Sequence, residues 1–122
     1  MTEPVVTVAT VVINVTDSDR EKRFWQALLG VGIAREFPGG FCWLDPQHDG
    51  GVSVALQSVD DPTPGRNRLH LDTSVADLET AQARIIELGG SHVEDHEVMG
   101  FAWKVMADPE GNEFCIAPAE VS

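Results

Sequence analysis

The period of apolar and polar positions changes along this chain in an order that repeats. Val5 to Val15 is a run rich in valine and threonine, as strands are. Thr16-Asp17-Ser18-Asp19 then offers helix caps, with Ser18 and Glu21 spaced as a capping box. The spacing predicts a helix with an apolar stripe of Phe24, Ala27 and Leu28, stopped by Gly30. Three short strands follow, about Gly32 to Phe37, Phe41 to Asp45 and Gly51 to Val59. Gly39-Gly40 and the stretch from Asp45-Pro46 to Gly50-Gly51 supply the turns between them.

Asp60-Asp61-Pro62-Thr63-Pro64-Gly65 reads as a connector, and the order then begins again. Arg68 to Val75 is a predicted strand in which Leu69 and Leu71 alternate with Arg68, His70 and Asp72. Asp77 caps a helix whose Leu78, Ala81, Ile85 and Leu88 share one face, ended by Gly89-Gly90. Strands are predicted near His92 to Val98, Phe101 to Ala107 and Asn112 to Ala117, with Asp108-Pro109-Glu110-Gly111 placed as a type I turn. The halves align without a gap at an offset of 60, which matches Asp17 with Asp77, Gly30 with Gly90, Trp43 with Trp103 and Gly51 with Gly111. These matches fall on caps, stops, turns and aromatic positions, where a repeated fold needs them. The expected architecture is α+β, with two tandem βαβββ modules covering residues 5–60 and 66–118 of a single domain.

Composition narrows the partners more than the chemistry. A length of 122 residues suits one domain with a real core, and the formal net charge of -12 disfavours nucleic acid and anionic membrane surfaces. Apolar runs fall short of the roughly 20 residues of a membrane span, and Met1-Thr2-Glu3-Pro4 lacks the basic start of a secretory signal. Cys42 and Cys115 do not make a disulfide framework. A cytoplasmic protein is expected.

Three stretches carry a family resemblance. Asp17 through Phe24-Trp25 to Leu28-Leu29-Gly30, then Arg68-Leu69-His70-Leu71-Asp72, then Asp108-Pro109-Glu110-Gly111-Asn112-Glu113-Phe114 resemble the glyoxalase/bleomycin-resistance/dioxygenase proteins of the vicinal oxygen chelate superfamily. The resemblance covers nearly the whole chain and points to the glyoxalase-like branch. It implies that the two modules form a U-shaped eight-stranded cleft with the helices outside, and that the protein forms a homodimer. It also implies, in metal-dependent members, a divalent ion held by one ligand from the first and one from the last strand of each module. Those slots fall on Thr10, Ala55, His70 and Cys115. One histidine and one cysteine are fewer than the three or four protein ligands such ions use. The expectation is therefore no metal and no cofactor.

Several residues stand out as site candidates. His70, with Asp72 two positions on along the same strand face, reads as a general acid/base or as a hydrogen-bonding group for a ligand. Residues so spaced lie about 6.5–7 Å apart, so contact between the two is open. Arg68 suits an acidic ligand group or a salt bridge. Ser53, Ala55 and Gln57 form a small polar strand face, and Asn14 sits with Thr10 and Val12 on another. Trp43 and Trp103 are core residues or an aromatic wall for a ligand. Cys115 is a buried inert thiol or a nucleophile beside His70. His92, Glu94 and His96 alternate on one strand and read as an exposed polar face, with a metal site as the other reading.

Two functions follow. One is a binding protein for a small molecule, acidic or aromatic, that works without the usual divalent metal site. The other is a lyase, isomerase or dioxygenase-like enzyme of the lactoylglutathione lyase type, using His70. A weaker third is an accessory domain acting through a dimer surface.

Overall fold

The computed structural model describes residues 8–62, 64–65 and 69–118. Its contacts divide the chain between Pro62 and residue 63 into two compact units. The first unit runs β1 (Thr10–Val15), α1 (Ser18–Leu29), β2 (Ile33–Phe37), β3 (Phe41–Leu44) and β4 (Ser53–Ser58). The second runs β5 (Leu71–Val75), α2 (Leu78–Glu87), β6 (Ser91–Val98), β7 (Phe101–Ala107) and β8 (Glu113–Pro118). Each is a βαβββ module whose four strands form one sheet, in the orders β1-β4-β3-β2 and β5-β8-β7-β6.

The repeat reaches the hydrogen-bond register. β1 pairs in parallel with β4 as Thr10↔Ser53, and β5 with β8 as Leu71↔Phe114. The partner lies 43 residues ahead in both (53 − 10 and 114 − 71). Both helices are capped alike. Asp17 accepts from the Arg20 amide at 3.1 Å, and Asp77 accepts from the Thr80 amide at 2.9 Å and the Thr80 hydroxyl at 2.7 Å.

In each unit one sheet face packs against the unit's own helix. Val15, Cys42, Leu44 and Leu56 are buried with Phe24 and Trp25 of α1, whose rings meet edge to face at 5.2 Å. Met106, Phe114 and Ile116 are buried with Ile85 of α2. Gly90 follows α2 because only hydrogen fits there. A Cβ would lie 2.6 Å from the Ala107 carbonyl oxygen and 2.7 Å from Ile85 Cγ2.

Four expectations shift. The first cap is Asp17, not Ser18, because its carboxylate reaches the amide three residues on. Glu21 is consequently on the buried side of α1, and the stripe is Glu21, Phe24, Trp25 and Leu28, with Ala27 exposed. β1 starts at Thr10, and Val8 before it is 69% exposed. β5 starts at Leu71, where the ladder with β8 starts, so His70 precedes the strand and Leu69 is 86% exposed.

The Asp108 turn is a sealed polar unit. The Asp108 carboxylate is buried and accepts from the amides of Glu110 at 3.0 Å and Asn112 at 2.8 Å and from Asn112 Nδ2 at 3.0 Å. Replacing Asp108→Ala leaves those donors unmet and is expected to cost about 2–3 kcal/mol in chemical denaturation. The β6–β7 hairpin closes through Met99-Gly100, with φ of 51° and 82° and Val98↔Phe101 as the flanking pair. Positive φ at both central residues is the type I′ turn, which favours Asn-Gly. Met99→Asn is expected to raise stability by roughly 1 kcal/mol in the same measurement.

Candidate functional site

Strand register assembles a site in the second unit. Asp72 pairs with Cys115, Cys115 with Val105, and Val105 with Glu94, so these four form one row across all four strands. All four line a cavity of about 810 Å³ on the sheet face away from α2, together with His70, His96, Phe101, Trp103 and Glu113. That volume suits a small organic molecule.

At one end of the row His70 Nε2 lies 3.1 Å from Asp72 Oδ1. The sequence left this contact open, and the structure closes it. The start of β5 at Leu71 leaves His70 off the ladder, where its ring can turn toward Asp72. Thr73 donates from Oγ1 to the Cys115 carbonyl at 2.8 Å and fixes β5 against β8 beside the pair.

At the other end His96 Nε2 lies 3.4 Å from Glu94 Oε2. The His96 ring stacks on Trp103 at 5.1 Å and 15° between planes, and Phe101 tilts against Trp103 at 5.9 Å. Sequence reasoning took Glu94 and His96 for an exposed polar face. Both side chains are instead half-buried in the cavity wall. A signal was present, because a Met99-Gly100 hairpin that pairs Val98 with Phe101 also pairs His96 with Trp103.

His92 does not join them. A register shift between His92 and Glu94 breaks the alternation. His92 Nε2 lies 2.8 Å from Asp95 Oδ1, and Lys104 donates to that same oxygen at 2.9 Å while lying 3.7 Å from Glu79 of α2. The Lys104 ammonium, followed by His92, holds the Asp95 carboxyl below its ordinary 3.8, and Asp95 raises Lys104. A depressed carboxylate stabilises the fold above its unfolded pKa, and that contribution is lost as pH falls through the folded value. Asp95→Asn is therefore expected to flatten the acid limb of the stability–pH curve below about pH 4. Part of the slope stays, because Asp77 is also lowered, by Thr80. Urea unfolding at stepped pH reads this.

The other predicted residues lie elsewhere. Asn14 pairs with Gln57, and Gln57 with Phe41, on the corresponding sheet face of the first unit. Trp43 packs there with Phe41 at 4.1 Å and Phe37 at 5.5 Å. None of the three lines the cavity described above. Of the ligand slots, Thr10 pairs with Ser53, and Ala55 is fully buried between Val12 and Trp43. Arg68 lies outside the described residues.

Two tandem βαβββ units, each a four-stranded sheet with one helix, are the architecture of the vicinal oxygen chelate class. The chain belongs to the glyoxalase-like domain family, which matches residues 10–117. Among solved structures it is similar to a glyoxalase/bleomycin resistance protein/dioxygenase family enzyme from Burkholderia phytofirmans, at 20% identity, TM-score 0.73, covering 94% of this chain and 100% of that one. A lactoylglutathione lyase from Agrobacterium tumefaciens is similar at 16% identity, TM-score 0.69, covering 96% of each chain. The fosfomycin resistance protein FosX of Listeria monocytogenes, solved with Mn(II) and a dihydroxypropylphosphonic acid, matches at 11% identity, TM-score 0.78, covering 98% and 94%. No curated protein matches the chain. Among the described residues no helix is long and apolar enough to cross a membrane.

The superfamily resemblance implies a divalent ion, and the donors present can be tested against one. The sequence count stopped at His70 and Cys115. The register adds Asp72, and the donor atoms of the three residues all lie within 4.8 Å of one another. One nitrogen, one oxygen and one sulfur match the number of protein ligands in a zinc site that keeps an open position.

Proposed function

We propose that this protein binds a small organic molecule in the cavity of its second unit, without the family's usual metal-ligand set. The observation that carries the proposal is the lining itself. An aromatic wall of Trp103, Phe101 and the stacked His96 faces a polar end formed by His70 and Asp72. Such a cavity takes a planar or apolar group against the rings and a hydrogen-bonding group at the imidazole. The described lining contains Asp72, Glu94 and Glu113 but neither lysine nor arginine. It therefore favours an aromatic ligand over an acidic one. A homodimer in the cytoplasm, implied by the resemblance, belongs to the same proposal and is checked by sedimentation and fractionation.

The His70–Asp72 contact at 3.1 Å supports a second reading, an enzyme of the lyase or isomerase type. Asp72 would orient the ring while His70 moves a proton on the bound molecule. The two readings part on turnover, since a binder releases its ligand unchanged.

A thermal-shift screen of planar small molecules finds ligands, which raise the melting point as occupancy rises. With any ligand so found, His70→Ala is expected to weaken binding roughly 5- to 150-fold by calorimetry. Trp103→Ala and His96→Ala should weaken it as well, while His92→Ala matches wild type. Wild-type affinity in both His70→Ala and Trp103→Ala would place the ligand elsewhere.

A further inference from the structure

We infer that His70, Asp72 and Cys115 form a site for a thiophilic divalent ion of the zinc class, built within the second unit alone. The inference stands apart from the identity of any organic ligand.

Three features of the chain put the donors together. Asp72 and Cys115 are direct partners in the parallel β5–β8 ladder, so their side chains leave the sheet on the same face, one strand spacing of about 4.8 Å apart. His70 precedes Asp72 by two residues and is already at 3.1 Å from it. The donor atoms of all three lie within 4.8 Å of one another, the only such grouping of histidine, cysteine and carboxylate donors among the described residues. Donors around a tetrahedral zinc ion stand about 3.3–3.8 Å apart, given bond lengths of about 2.0–2.3 Å. The remaining closure falls to side chains free to make it, since His70 is 51% and Asp72 81% exposed.

The donor types set which ion is held. A thiolate is soft and an imidazole intermediate, so the set favours Zn²⁺ or Co²⁺ over Mg²⁺ or Mn²⁺, which take oxygen ligands. On binding, the Cys115 thiol loses its proton to solvent and a metal–sulfur bond forms. Three protein ligands leave a fourth position open, and the same three residues line the cavity. A water molecule or an oxygen of a bound molecule could take that position. Cys42 is a built-in control. It is buried on the helix side of the first unit, and burial pushes its thiol pKa up, which opposes the thiolate that a metal needs.

The test is titration of the chelator-treated full chain with Co²⁺ alone. The expected result is one ion per chain with a thiolate-to-cobalt charge-transfer absorption in the near ultraviolet. Zn²⁺ should displace it at stoichiometric concentration, while excess Mg²⁺ or Mn²⁺ should not. Cys115→Ser should abolish that absorption. Cys115→Ser, Asp72→Asn and His70→Gln should each weaken Zn²⁺ binding by at least about tenfold, while Cys42→Ser changes neither. Should Cys115→Ser not fold, wild-type thiol labelling decides, because Zn²⁺ is expected to protect Cys115 from a thiol reagent. Failure of wild type to take up Co²⁺, charge transfer persisting in Cys115→Ser, wild-type affinity in Asp72→Asn, or unprotected Cys115 would each overturn the site.

Discussion

Parallel pairing between the first and last strand of each unit is the constraint from which the rest follows. A parallel partner cannot be reached by a tight turn, so the chain must cross over, and the helix between is that crossover. The same partner offset in both units fixes which residues of β8 stand beside β5. A slip of one residue would send Asp72 and Cys115 to opposite faces of the sheet. The row from Asp72 through Cys115 and Val105 to Glu94 is therefore a consequence of register.

The two sheet faces divide the labour. The helix side carries the hydrophobic burial of each unit, with Ile85, Met106, Phe114 and Ile116 in the second. The opposite side of the second unit carries the half-buried and exposed titratable groups beside the buried Val105, and polar chemistry costs least to maintain where water reaches it. Deviations from regular strand geometry at the margins sort particular residues between these roles. The bulge between His92 and Glu94 turns one histidine into an ion-pair network with Asp95 and Lys104 and leaves the other in the cavity wall. The late start of β5 frees His70 from the ladder and lets it meet Asp72. Both are one-residue effects with consequences for chemistry.

The units share a scaffold and differ in what they present. At the slots where the second unit has His70 and Cys115, the first has Thr10 and Ala55, and Ala55 is fully buried. Trp43 and Trp103 keep their places, but their partners differ. Trp43 packs on Phe37 and Phe41, whereas Trp103 stacks on an imidazole beside a carboxylate. The aromatic framework is common to both units, and the titratable groups that give a cavity its chemistry lie in the second.

The sequence by itself determined the module. Strand composition, the aspartates at Asp17 and Asp77, the glycine stops and the Asp108 turn are local signals with local physical causes, and all act within a few residues of where they are written. They were enough for element order, for the repeat and for the family. Tertiary structure decided which polar residues meet. His70 and Asp72 lie close in sequence, yet their contact depended on where β5 begins. Cys115 is 43 residues from Asp72 and reaches it only through the ladder. Glu94 and His96 looked equivalent to His92 until the bulge separated them. Local sequence fixes backbone preference over a few residues, whereas a site is made by register, which is settled only when the whole sheet packs on its helix.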